Sequence, residues 1–351
     1  MKGFYNMENV IIGIRTYNSE QFLDGSLNSV INQNYPNMSV IIFDDKSTDG
    51  TMTKLRLWQK SFAKKGINFD IYSNDENGGC GQSFERLGRI VTNKIKDDDI
   101  FIMLDSDDKF TSNTAVSDCV SQMRNNKANI LIAGFDLSGD QNLVLNWNNG
   151  TPHNNLSKKL AEKGSSTVDE MPEIASHADS IGWTKIVKGN IFKRYMNMYP
   201  ALNKEMKVCE DFPSMAMLLY KDSRVTGLPE NMYNYYKHPQ SSTAKVKADD
   251  FRVVRLGFLK TLQEMVAHNR EMFVEDAEKY INKFLEVKYH VIGNIVDKKT
   301  QSGDLVGYTK ENWQRDFQSA INCEDLNIEK IKSKEISPNI IQATKGGNTG
   351  L

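Results

Sequence analysis

Ser39-Val40-Ile41-Ile42-Phe43-Asp44-Asp45-Lys46-Ser47-Thr48-Asp49-Gly50-Thr51 is the stretch that decides the fold. The apolar run is too short for a helix, is rich in β-branched and aromatic residues, and stops at an acidic, glycine-bearing turn. It reads as a strand buried on both faces. Thr48 or Asp49 can cap the helix that follows, so the stretch predicts strand, polar loop, helix. Strands are likewise predicted at residues 10–14, 68–72, 100–104 and 129–135, and helices at 20–32, 51–65, 82–93 and 114–126. This alternation is α/β.

Further along, residues 138–181 turn polar and lose periodicity, which predicts a loop-rich insertion. A helical stretch at 211–220 and short strands at 224–228 and 232–236 follow. Helical periodicity then runs through 251–269, 276–295 and 310–322, and the polar tail 331–351 is expected to fray. The division expected is a catalytic domain over 1–240, a helical region over 248–330, and the tail.

Among 351 residues, 44 basic and 45 acidic side chains are interspersed at a net charge of −1, which argues against nucleic acid as a partner. Cys80, Cys119, Cys209 and Cys323 lie far apart without a CxxC pair, as expected in a reducing cytoplasm. No apolar run has the length of a signal peptide or membrane span. A cytoplasmic protein is expected, with peripheral contact to the inner face of a membrane left open.

In open α/β sheets ligands bind beyond the carboxyl ends of the strands. There the sequence places Arg15-Thr16-Tyr17-Asn18, Asp44-Asp45, and Asp105-Ser106-Asp107-Asp108. So many carboxylates at one sheet edge repel unless a cation or donors offset them. Hard oxygen ligands in a DxD spacing suit Mg2+ or Mn2+, with diphosphate oxygens and water completing the shell. Asp44 and Asp45 can instead accept a pyrimidine N–H or ribose hydroxyls. Taken singly, each acidic stretch also reads as a plain turn.

Four segments, Ile14 to Asn18, Gln33 to Thr51, Asn77 to Ile90 and Ile100 to Asp108, resemble in order and spacing the family 2 glycosyltransferases of the GT-A fold. The resemblance extends more loosely to Trp183-Thr184-Lys185, Glu210-Asp211 and Tyr235-Tyr236-Lys237-His238-Pro239. It implies a Rossmann-like mixed sheet flanked by helices, and inverting transfer from a nucleotide sugar, usually UDP-linked. Thr16, Tyr17 and Asn18 would then line the nucleoside pocket, with Asp45 accepting the uracil imide proton beside Asp44. Asn77, Gly78 and Gly79 would approach the nucleoside or ribose. Asp105, Ser106 and Asp107 would serve ribose and metal, with Asp107 the preferred ligand, Asp108 near the donor sugar, and His238 completing the metal or diphosphate site. Trp183 and Lys185 are counted with the donor site, although Trp183 reads equally well as a core aromatic.

Inversion needs one base opposite the departing diphosphate, and Asp211, at the start of a predicted helix, fits that role with Glu210 as helper. The acceptor class stays open: glycan, lipid-linked or protein-linked, with recognition or homo-oligomer contact through the C-terminal helices. A nucleotidyltransferase would place a glycine-rich basic loop after the first strand, and a dehydrogenase a GxGxxG; neither is present. A catalytically silent nucleotide- or glycan-binding module is the alternative outside enzymes.

Overall fold

The structure, a computed structural model, describes residues 7–140, 151–177, 182–199, 212–241, 270–303 and 305–321. Its frame is a seven-stranded sheet in the order β3-β2-β1-β4-β8-β6-β9. The first four strands are β1 (Val10–Thr16), β2 (Met38–Asp44), β3 (Asn68–Ser73) and β4 (Ile100–Asp105), all parallel. β1, β2 and β4 are nearly continuous runs of buried residues, because helices cover both faces. Those helices are α1 (Leu23–Ile31), α2 (Thr51–Lys64), α3 (Gly79–Lys94) and α4 (Ala115–Asn125). The N-cap of α2 is Gly50 and not Thr48 or Asp49, but Asp49 supports the helix start from one residue earlier, its Oδ1 accepting the Thr51 N–H at 3.0 Å.

From β1 the chain adds β2 and β3 on one side, then returns to place β4 on the other. A crevice therefore opens between the carboxyl ends of β1 and β4, where the strand order reverses. The sheet continues through β8 (Lys185–Lys188), antiparallel to β4 and β6, then β6 (Ile130–Ile132) and β9 (Val225–Gly227). A second sheet, β5-β10-β7, is built from β5 (Lys109–Phe110), β10 (Tyr233–Lys237) and β7 (Phe135–Gly139). It hangs β10, and His238 after it, beside the end of β4.

Four expectations need correction. The strand expected at 129–135 is two: β6 belongs to the main sheet and β7 to the small one, with Gly134 between them. Asn154 fixes that break, donating to the Phe135 carbonyl at 2.8 Å and accepting its N–H at 3.0 Å. The stretch expected to be loop-rich contains α5 (Thr151–Lys163) and the short α6 (Glu173–His177). α5 buries Leu156, Leu160, Ser157 and His153, so its inward face is part polar and its apolar periodicity faint. Sequence also missed β8 and α7 (Gly189–Met198). The helix expected at 211–220 is a 3-10 turn over Phe212–Leu219.

Helices α8 (Ala277–Gln301) and α9 (Lys310–Ile321) lie where periodicity placed them. The helix expected at 251–269 lies outside the described residues. Among the described residues no helix is long and apolar enough to cross a membrane.

Candidate active site

The β1 loop and the β2 loop are tied to each other. Asn18, in the left-handed region at φ 49°, accepts the Thr48 N–H on its side chain at 2.8 Å and donates its own N–H to Ser47 Oγ at 2.9 Å. Asn18 thus shapes the crevice wall. Tyr17 stays about half exposed, while the Thr16 hydroxyl is buried without a hydrogen-bond partner among the described residues. A buried hydroxyl left unpaired is costly, and a ligand polar atom would relieve it.

Asp44 turns back on its own loop, accepting the Ser47 hydroxyl at 2.5 Å and its N–H at 3.0 Å. Asp45 sits under the N-terminus of α3. Its Oδ1 accepts from Asn74 at 2.6 Å and the Gly78 N–H at 2.9 Å, and its Oδ2 accepts the Gly79 N–H at 2.7 Å. Asn77 donates to the Asp45 carbonyl at 3.1 Å. Gly79 holds φ +77°, a conformation that turns two successive amides onto one carboxylate. Oδ2 keeps capacity for one further donor. Asn74, which sequence reasoning missed, completes this anchor.

At the end of β4, Asp105 accepts from Arg15 at 3.3 Å, and Ser106 meets Ser19 hydroxyl to hydroxyl at 2.8 Å. Asp107 Oδ2 lies 2.8 Å from His238 Nε2, 131 positions away in sequence. The imidazole is fixed from several sides: Gln240 Oε1 is 3.1 Å from Nδ1, and the Phe22 ring lies 4.2 Å from the imidazole centroid. Neither Gln240 nor Phe22 was singled out from sequence, though the tight His-Pro-Gln spacing was a usable signal.

Asp107 and His238 fit a divalent cation. Two neighbouring ligands of an octahedral ion at about 2.1 Å stand about 3 Å apart, close to their present separation. Among the described residues no cluster of three or more metal-ligating side chains is preassembled. Any ion here would take its remaining ligands from substrate and water. Lys237, adjacent, is pushed down to about 8 by burial, against the opposing pull of Asp108 and Asp107. Its ammonium donates to Tyr235 at 2.9 Å.

Three expected donor contacts are placed elsewhere. Asp108 is 1% exposed, with Oδ1 accepting the Tyr236 N–H and Oδ2 the Tyr233 hydroxyl, both at 2.8 Å. Tyr233 in turn accepts the Asp105 N–H at 3.0 Å. Asp108 therefore fastens β10 to the β4 loop and does not face a sugar. Burial first, then the Asp107 and Asp105 carboxylates, push it well above the ordinary carboxylate range. Trp183 is a core residue, 3% exposed and stacked on Tyr233 at 3.9 Å and 7°. Lys185 is buried within β8 opposite Ile132. Asp211 and Glu210 lie outside the described residues.

The role of Asp108 makes a prediction. Asp108→Ala removes two acceptors from buried donors and should lower unfolding free energy by about 2–3 kcal/mol, whereas the uncharged isostere Asp108→Asn should lose only about 1. Urea denaturation measures both, and equal losses would contradict the anchoring role.

The glycosyl transferase family 2 model matches residues 11–176. A processive diacylglycerol beta-glycosyltransferase of Mycoplasma pneumoniae is 21% identical over 287 residues, covering 78% of this chain and 77% of the relative. TarS of S. aureus in complex with UDP-GlcNAc superposes with a TM-score of 0.54 at 18% identity, over 89% of this chain and 91% of that one. A Pyrobaculum calidifontis mannosyltransferase in complex with GDP-Man and Mn2+ does so with a TM-score of 0.50 at 13% identity, over 96% and 79%. The switch-point crevice, the mixed sheet and these matches together show that the chain has the GT-A glycosyltransferase fold, with residues 11–176, just under half of its length, matching the family 2 model.

Proposed function

We propose that the chain transfers a sugar, with inversion, from a UDP-sugar to a hydroxyl of a lipid-linked or glycan acceptor. The observation that carries this reading is the Asp107–His238 contact at the crevice between β1 and β4. Thr16 and the spare lone pair on Asp45 Oδ2 would receive the nucleoside, and Asp105, steered by Arg15, the ribose. Asp107 and His238 would hold a divalent ion, Mn2+ or Mg2+, which when bound stabilises charge on the departing diphosphate. Asp211, helped by Glu210, would take the proton from the acceptor hydroxyl as its oxygen bonds to the anomeric carbon and the bond from that carbon to the diphosphate breaks. A single base suffices because the leaving group needs no proton.

The M. pneumoniae relative, a diacylglycerol beta-glycosyltransferase, supports a lipid-linked acceptor, and a β product is what inversion of an α-linked donor gives. The TarS complex with UDP-GlcNAc supports UDP. Residues 1–240 would form the catalytic domain and 248–330 contribute to the acceptor side.

Calorimetric titration of UDP, GDP and dTDP, with and without Mn2+, tests the donor assignment. UDP should bind at least about tenfold more tightly than the others, and only with the ion. Preference for GDP or dTDP would overturn the uridine assignment, and no nucleotide binding would favour the silent module.

A further inference from the structure

The even mixing of charge along the chain breaks down at α2. Between Thr51 and Gly66 stand Lys54, Arg56, Lys60, Lys64 and Lys65 with no acidic residue. Two of them are engaged: Lys54 pairs with Asp24 at 2.9 Å, and Lys65 donates to the Ile31 carbonyl at 3.0 Å. Arg56, Lys60 and Lys64 are not exposed in order to reach a carboxylate. All three are open to solvent, and among the described residues no ion pair or hydrogen bond involves their side chains.

Their spacing is i, i+4, i+8, so they line one stripe about 12 Å long. Like charges at that spacing repel and weaken a helix about as much as a Glu–Lys pair would strengthen it. Local sequence that works against its own helix marks a place where something other than folding sets the residue choice. Leu57 flanks the stripe, about 100° around the helix from Arg56, and is 59% exposed. The opposite side, with Leu55 and Phe62, is fully buried.

We propose that the outer face of α2 docks the protein on an anionic lipid bilayer, with Arg56, Lys60 and Lys64 against the headgroups and Leu57 entering the interface. Cations set beside an exposed aliphatic side chain suit a surface that is charged outside and apolar beneath. A nucleic acid would be better served by exposed aromatic rings among the cations, and none stands on this stripe. The placement also suits the crevice. α2 begins just beyond the carboxyl end of β2, so the site lies at the helix's N-terminal end and would open along the membrane plane, where a lipid-linked acceptor resides.

Vesicle flotation of the full chain tests this without using sugar transfer, so its failure is separate from failure of the proposed reaction. The chain should float with phosphatidylcholine vesicles holding about 30% phosphatidylglycerol, not with pure phosphatidylcholine, and should be released by about 0.5 M salt. The triple variant R56E/K60E/K64E should lose binding about tenfold or more. The charge-matched triple K158E/K221E/K279E should float as wild type does. Thermal unfolding and UDP binding at wild-type levels would establish that the first triple remains folded. Equal flotation with neutral and anionic vesicles, or an unaffected R56E/K60E/K64E variant, would overturn the proposal. So would retention on a soluble polyanion such as heparin without any vesicle binding.

Discussion

Asp107→Ala should eliminate Mn2+-dependent UDP binding and lower kcat/KM for sugar transfer by a factor on the order of 10³. The reason is the small number of protein ligands at this site. Of the groups near the crevice, Asp105 is shared with Arg15 and Asp108 is buried, leaving Asp107 and His238 in direct contact. Removing the carboxylate leaves a single imidazole, too little to hold a hard cation against water. Ground-state binding and charge stabilisation on the leaving diphosphate are then lost together. Asp211→Asn should behave oppositely, keeping UDP and Mn2+ affinity within about twofold while kcat falls by about 10²–10³. Isothermal titration and radiolabelled transfer separate the two patterns. If Asp107→Ala kept more than about a tenth of wild-type activity, the ion would have to sit elsewhere.

Trp183→Ala should lower unfolding free energy by about 3–5 kcal/mol. The indole is 3% exposed, stacks on Tyr233, and meets the Phe135 ring edge-on at 5.1 Å and 85°. Truncation therefore leaves a cavity between the main sheet and β10, and Tyr233 loses the surface that orients its hydroxyl toward Asp108. Trp183→Phe should lose less than half as much. A sugar-stacking role predicts another result: near-normal stability and a raised KM for donor or acceptor. Chemical denaturation beside steady-state kinetics at a permissive temperature decides between them.

The parallel strands and their helices were legible because β1, β2 and β4 are nearly unbroken buried runs and the helices between them each keep one buried apolar face, patterns that periodicity alone marks. β8 was not, since only Ile186 and Val187 separate Lys185 from Lys188, and its pairing is with β4 and β6 far away in sequence. α5 hid behind buried polar residues: His153 reaches the Ala133 carbonyl at 2.9 Å and Ser157 the Ile132 carbonyl at 2.8 Å. Those contacts bury hydrophilic side chains that read as loop. In the site, the order of motifs singled out Asp105, Asp107 and His238, and the structure brings Asp107 and His238 together at the end of β4. It could not tell which way each side chain turns, and so Asp108 and Trp183, which support the crevice from behind, were counted among its lining.

The small sheet has a consequence for how such a protein changes over generations. The groups around Asp45 belong to the β2 loop and α3, whereas His238 arrives on β10, held by β7 and Asp108. At Gly139, φ +103°, an added methyl group would stand 2.1 Å from the Lys237 carbonyl, so β10 is held close to β7 at the residue immediately before His238 as well. Under the proposed function, base recognition and ion placement would thus draw on separate sets of hydrogen bonds. A lineage of this fold could then exchange one nucleotide for another by altering the β2 loop and α3 while inheriting β10 unchanged.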